Sequence, residues 1–323
     1  MTGLEALRRI LVIKLGALGD VILAFAAMRR IREAHPDARI DVLTTPPFRA
    51  LIAASPYADA VQDDGRPEGL PEQLRLIARL RRARYDRVYD LQTSSRSSAL
   101  FYGLLPNAPE WSGIAKGASL PHRNPERDHM HTLERQAGQL KGAGIWPDAP
   151  TEPGTALPPD VSWLVEEGAL AGLGVSSPYA LLVPGGSAHR LEKRWPVERY
   201  AALAASLATQ GLTPVVLGGE AERELAQRIG AAASTTIDLT GRTSLAQLAA
   251  LGAGAGLAVG NDTGPTHLIA AAGAPTLALF SSASDPALTA PRGPRAAALQ
   301  RADLAELSVD DVLTATALLP PSS

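Results

Sequence analysis

Four short stretches of this 323-residue chain gather the residue types that bind anions, hold hydroxyls or move protons. The first is KLGALGD, Lys14 to Asp20. Gly16 and Gly19 let the backbone turn tightly after an apolar run, and a helix starting there would present free N–H groups. Asp20 suits two roles, the N-cap of that helix or a general base. The spacing G-x-x-G is not the G-x-G-x-x-G of a dinucleotide site. The second stretch is VPGGSAHRLEKRWP, Val183 to Pro196. Gly185 and Gly186 offer backbone amides, Ser187 a hydroxyl, and Lys193 and Arg194 positive charge just before Pro196 opens a helix. Together these make a diphosphate cradle; the plainer reading is a surface loop with ordinary charges.

The third stretch is LGGEAERE, Leu217 to Glu224. Glu220 follows a strand and two glycines. It could accept hydrogen bonds from ribose hydroxyls, or stand there because carboxylates favour helix starts. The fourth is NDTGPTH, Asn261 to His267. Pro265 in a first turn, with Thr263 or Gly264 at the cap, marks a helix whose amides face a sheet edge. Asp262 can orient that loop or bind hydroxyls, and His267 can donate to an anion. DTG also occurs in aspartic proteases, but that chemistry needs a second such carboxylate in an all-β protein. The chain has one DTG in an α/β setting, so that activity is excluded. His122, His129 and His131 follow no metal-ligand spacing, and no metal site or cofactor is expected. The absence of cysteine removes disulfides, thiolate metal sites and cysteine nucleophiles.

Something must position these stretches, and each falls at a strand-to-helix junction. Arg9–Gly16 reads as a buried strand, Asp20–Pro36 as a helix with arginines on one face, and Arg39–Thr45 as the next strand. That is the βαβ unit of a parallel sheet. A basic helix near 73–84 precedes a strand at Tyr85–Gln92. Between Trp146 and Ser177 the chain is proline-rich and reads as a linker carrying a short helix at Val161–Leu173. Strands at 179–186, 213–219, 235–241, 256–262 and 275–280 then alternate with helices. The expected architecture is α/β, two Rossmann-like doubly wound parallel-sheet domains, 1–150 and 151–323. A last helix covers 308–319, with nothing to fix where it packs. Ligands of such folds sit at the carboxyl ends of the strands.

The net charge of −2 divides unevenly, with +4 in residues 1–150 and −6 in 151–323. The first half is thus the side expected to meet an anionic partner, unless its arginines only solvate helix faces. Aromatic residues are 4% of the chain, too few for a single-strand stacking surface, so no nucleic acid is expected. No uncharged run is long enough for a membrane span or secretory segment. The expected location is the cytoplasm, with a peripheral place at the inner face of the inner membrane.

The stretch from Ile10 to Thr44, VPGGSAHRLEKRWP and VGNDTGPTHLIAAAGAPTLALF together resemble the bacterial ADP-heptose:lipopolysaccharide heptosyltransferases, glycosyltransferase family nine. The resemblance runs from about Arg9 to Pro291 and is weakest over 103–177. It implies a GT-B fold with the active site in a cleft between two lobes. The acceptor would sit on the N-terminal lobe and the nucleotide sugar on the C-terminal lobe. The reaction would be metal-independent and inverting. Carried over by position, Asp20 matches the general base, and Ser187 and Lys193 the diphosphate contacts. Glu220 is similar to the ribose-binding acid, and Asp262, Thr263, Gly264 and His267 match the loop beside the diphosphate and sugar. With Gly185, Gly186 and Arg194 these form the expected donor site, Asp20 and Lys193 being the catalytic pair. Gly16, Arg96 and Arg123 are the expected acceptor contacts, for an anionic lipopolysaccharide-core acceptor at the membrane surface. Thr93 departs from the glycine usual after DLQ in relatives. A sugar-nucleotide epimerase or hydrolase of the same fold, or a catalytically silent nucleotide-sugar-binding protein, are the competing functions.

Overall fold

The structure, a computed structural model, describes residues 7–186 and 190–319. The chain divides into two units, Met1–Leu157 and Pro158–Ser323.

The first unit is built on six parallel strands: β1 (Arg9–Ile13), β2 (Arg39–Leu43), β3 (Ala60–Gln62), β4 (Arg87–Asp90), β5 (Glu110–Gly113) and β6 (Leu120–Pro121). Their order is β3-β2-β1-β4-β5-β6. Five α-helices accompany them: α1 (Leu18–Ala34), α2 (Arg49–Ala54), α3 (Leu70–Ala83), α4 (Ser95–Leu104) and α5 (Thr132–Gly142). β1 is the central strand, buried from Ile10 to Ile13. Helices cover both faces of a parallel sheet, so its strands read as continuous apolar runs. One side of the core joins Leu11, Ile13, Leu76, Leu80, Val88, Leu100 and Trp111.

The second unit repeats the plan with β7 (Tyr179–Val183), β8 (Thr213–Val216), β9 (Ile237–Asp238), β10 (Leu257–Asn261), β11 (Thr276–Phe280) and β12 (Ala296–Gln300). The order β12-β11-β10-β7-β8-β9 is again all parallel and is the same topology. Its helices are α6 (Val197–Thr209), α7 (Arg223–Ala232), α8 (Leu245–Gly254), α9 (Gly264–Ala271), α10 (Pro286–Thr289) and α11 (Val309–Ala317). α11 packs on this unit: Val312 joins the core of Leu182, Trp195, Tyr200 and Leu279. Trp195 Nε1–H donates to Leu307 O at 2.9 Å, fixing the approach to that helix.

The fold class is as the sequence implied, two doubly wound sheets, with three local differences. The helix expected at Val161–Leu173 is only a 3-10 turn, Ser162–Leu164. Gly168, Gly172 and Gly174 follow with φ of 75°, 80° and 70°, a left-handed backbone that no α-helix contains. Asp20 is not the N-cap of α1. Ala17 is, and Asp20 lies in the first turn, its Oδ2 accepting from Ala17 N–H at 3.2 Å. The second sheet also has a sixth strand, β12, beyond the five expected. Among the described residues no helix is long and apolar enough to cross a membrane.

Candidate active site

In a sheet of this order the chain runs outward in opposite directions from the two central strands. The loops leaving those strands diverge and open a crevice at their carboxyl ends. This point lies between β1 and β4 in the first unit and between β7 and β10 in the second. Each unit places a cluster of polar residues at its own switch point.

In the second unit the organising side chain is Asn261, at the end of β10 and wholly buried. Its Nδ2 donates to Pro184 O at 2.8 Å and Gly185 O at 3.0 Å. Its Oδ1 accepts from Trp195 N–H at 3.0 Å and Tyr200 O–H at 3.1 Å. One amide thus ties the glycine loop after β7 to the start of α6. Beside it, Lys193 Nζ donates to Asp262 Oδ2 at 2.8 Å. An ammonium has three hydrogens, so this bond leaves two for a ligand. His267 Nε2 is 3.8 Å from Asp262 Oδ1, and His267 Nδ1 is buried without a partner. Burial raises the Asp262 pKa, but hydrogen bonds from His267 and Lys193 outweigh it and hold the carboxyl at about 2. Asp262 is therefore a fixed anion that aims a lysine and a histidine.

Thr263 caps α9 by position but makes no side-chain cap bond, and Pro265 has no N–H. The remaining amides of this helix start are donors of the kind that hold phosphate oxygens. Gly186 O accepts from Arg194 at 2.6 Å, and Arg194 Nε is buried without a partner. Ser187 lies outside the described residues. Glu220 is exposed and tied to Arg223 at 2.7 Å, which lowers its pKa. Glu222, two residues on, is the carboxylate turned toward the loop. It accepts from Gly219 N–H at 2.9 Å and lies 3.9 Å from Arg194. Both follow the same Gly218-Gly219 pair, and the sequence alone does not separate them.

In the first unit, Lys14 and Asp20 come together behind the β1–α1 turn, with Nζ 3.8 Å from Asp20 Oδ1. Gly16 has φ +117°, and a Cβ there would lie 2.4 Å from the Phe48 ring, so only glycine fits this turn. Asp90 ends β4; its Oδ1 accepts from Gln92 N–H and Thr93 N–H, its Oδ2 is buried, and Ser97 is a further side-chain partner of the carboxyl. Burial pushes Asp90 up to about 6.

Arg96 and Arg123 are both exposed. Arg123 lines a cavity of about 500 Å³ with Lys116, His122, Arg127 and Asp128. Two arginines the sequence did not single out are more enclosed. Arg127 donates to Thr93 Oγ1 at 3.1 Å and pairs with Asp128 at 2.6 Å. Arg135 makes no ion pair among the described residues; burial and the charge of Arg127 both act against its own charge. The signal that could have exposed these two is the charge excess of this half, but it does not say which arginines turn inward.

The profile of glycosyltransferase family 9 (heptosyltransferase) matches residues 73–311. The chain belongs to that family. It is a glycosyltransferase, similar to lipopolysaccharide heptosyltransferase 2 of Salmonella typhimurium. The two are 28% identical over 291 residues, covering 85% of this chain and 83% of that one. Among solved structures, the Escherichia coli ADP-heptose lps heptosyltransferase II superposes with a TM-score of 0.78 at 26% identity, covering 96% and 98% of the two chains. The fold is also that of the E. coli heptosyltransferase WaaC with ADP, at a TM-score of 0.74, 22% identity and coverage of 95% and 98%.

Proposed function

We propose that this glycosyltransferase moves heptose from ADP-heptose to a hydroxyl of an anionic lipopolysaccharide-core acceptor, with inversion and without a bound metal. Asp20 takes the proton of the acceptor hydroxyl as its oxygen bonds to the anomeric carbon. The bond from that carbon to the diphosphate oxygen breaks, and its electron pair leaves with ADP. A base placed in this way contributes about 10² to 10⁴-fold. Lys193, the amides of Gly185 and Gly186 and the start of α9 stabilise the departing diphosphate. His267 and Arg194 add their unpartnered nitrogens to that grip. Thr263 and Gly264 form the α9 turn beside it.

The observation that carries the reading is the Lys193–Asp262–His267 cluster at the second switch point. It is a pre-aimed cation set beside an uncapped helix start. ADP-heptose as donor is supported by the name of the E. coli relative, and the core acceptor by that of the Salmonella one. On the acceptor side Arg127 and Arg135 are better suited than Arg96 to a carboxylate or phosphate, because they are partly desolvated. Work on a core acceptor would be done from the cytoplasm, at the inner face of the inner membrane.

A screen of ADP-, GDP- and UDP-sugars, with and without a truncated lipid A–Kdo acceptor, tests the reading. ADP should be released from ADP-heptose only when acceptor is present, and chelator should not slow it. Release without acceptor would make the protein a hydrolase or epimerase; binding without turnover would make it a silent sugar-nucleotide binder.

A further inference from the structure

Lys14 is 4% exposed, at the end of the central strand β1. A buried ammonium is costly unless it is paired. Burial lowers the Lys14 pKa; Asp20 and Asp90 oppose that, and Arg135 adds to it. Yet among the described residues its ion pair is with Asp20, the residue at the surface of this cluster. Both Asp20 oxygens are tethered: Oδ1 lies 3.8 Å from Lys14 Nζ, and Oδ2 accepts from Ala17 N–H. The side chain is still 40% open, so lone pairs remain on its outer edge. The cation is walled off from water on the inner side, where salt and solvent screen it least.

A lysine serving only the packing of β1 would be expected to pair with the deeper carboxyl, Asp90. Asp90 sits opposite Ile13 in the register of β1 and β4, yet among the described residues it forms no ion pair with Lys14: backbone amides satisfy one oxygen and Ser97 is a further partner of the carboxyl. The cation is committed outward, to the group at the mouth of the turn.

We propose that Lys14 is a positioning residue for Asp20, its sequestered ammonium fixing the carboxylate's orientation to receive the acceptor's hydroxyl proton. This rests on the reading of Asp20 as the base. Lys14 neither gives nor takes a proton in the step. The proton goes from the acceptor oxygen to Asp20, and the electron pair of the broken bond goes to the diphosphate. A buried cation at this distance holds one edge of the carboxylate and leaves the other edge turned outward. The charged groups facing Lys14 are Asp20 from α1, Asp90 from β4 and Arg135 from α5. Arg127 and Asp128 face Arg135 in turn.

A double-mutant cycle tests this in the full chain, with kcat and acceptor KM measured separately and ADP affinity measured alongside. Lys14→Met should lower kcat/KM by about 10- to 100-fold and leave the ADP Kd unchanged. In an Asp20→Ala background the same change should cost less than about twofold, because its partner is gone. An equal fractional loss in both backgrounds would overturn the proposal. If Lys14→Met does not fold, judged by its unfolding midpoint, Lys14→Gln replaces it; its amide keeps a donor but carries no charge, and the same outcomes decide. A fully active Asp20→Ala would remove the base assignment and the proposal together. An inactive Asp20→Ala with additive Lys14 losses would remove the proposal alone.

Discussion

Asn261 shows how much of a site one uncharged side chain can hold. Its oxygen accepts two hydrogen bonds and its nitrogen donates two, so the amide cannot be turned over without opposing every partner. Asn261→Ala would leave two buried carbonyls and an N–H to find new partners, while the Tyr200 hydroxyl keeps its bond to Val183 O. A loss of about 3 kcal/mol is expected in urea unfolding, since each orphaned buried group costs roughly 1–3 kcal/mol and some relax. ADP affinity should fall with it, because the glycine loop loses its tie to α6. A variant with wild-type stability would show that water replaces the amide. The sequence marks this residue only as the first polar position after an apolar strand. Its four partners lie up to 77 residues away along the chain, and no local pattern encodes such pairing.

Between β4 and α4 the element scale decides the geometry. Thr93 has φ 45°, a left-handed backbone unusual for a β-branched residue. Its amide caps Asp90 and its hydroxyl accepts from Arg127. Strain of order 1–3 kcal/mol persists where the surroundings over-determine it. Thr93→Gly should therefore leave stability equal or slightly higher, while acceptor KM rises several-fold and ADP affinity is unchanged. A lower unfolding midpoint with an unchanged acceptor KM would contradict that role.

The elements the sequence made legible are those buried on both sides, such as β1, β7 and β10, whose apolar runs end in glycine or a polar turn. Those it hid are short or half-exposed. β3 has three residues, β6 two, and β12 is an alanine-rich edge with no alternation. The helix expected at Val161–Leu173 had the right apolar spacing, but three glycines in left-handed turns prevailed over it.

At the scale of the whole molecule, each unit sets its polar cluster at the same point of the same topology, while the charge of the two halves differs in sign. The candidate site was legible where special backbone residues flagged a junction, and not where distant charges were brought together, as with Asp90, Arg127 and Arg135.

Stability should carry a trace of these buried groups. Burial, aided by Arg87, holds His35 at about 4, and burial with Arg127 and Arg135 does the same to His122, against 6.5 when unfolded. Between those values the unfolded chain binds more protons, so stability is complete above pH 6.5 and falls as pH drops toward 4. The loss is of the order of 2 kcal/mol for each histidine after solvent screening. Asp90, held at about 6 by burial, acts in the opposite sense over pH 6 to 3.8 and offsets part of it. Denaturant midpoints from pH 7.5 to 4.5 should therefore decline, and decline less in a His35→Gln, His122→Gln double variant. An equal decline in that variant would place the acid sensitivity elsewhere.

The central claim is that Asp20 removes the acceptor's proton while a separate cluster holds the nucleotide. The most direct measurement is acceptor-dependent ADP release by Asp20→Ala under saturating ADP-heptose, with ADP affinity determined on the same sample. The rate should fall by about 10² to 10⁴-fold at unchanged ADP affinity. Release at the wild-type rate would contradict the account.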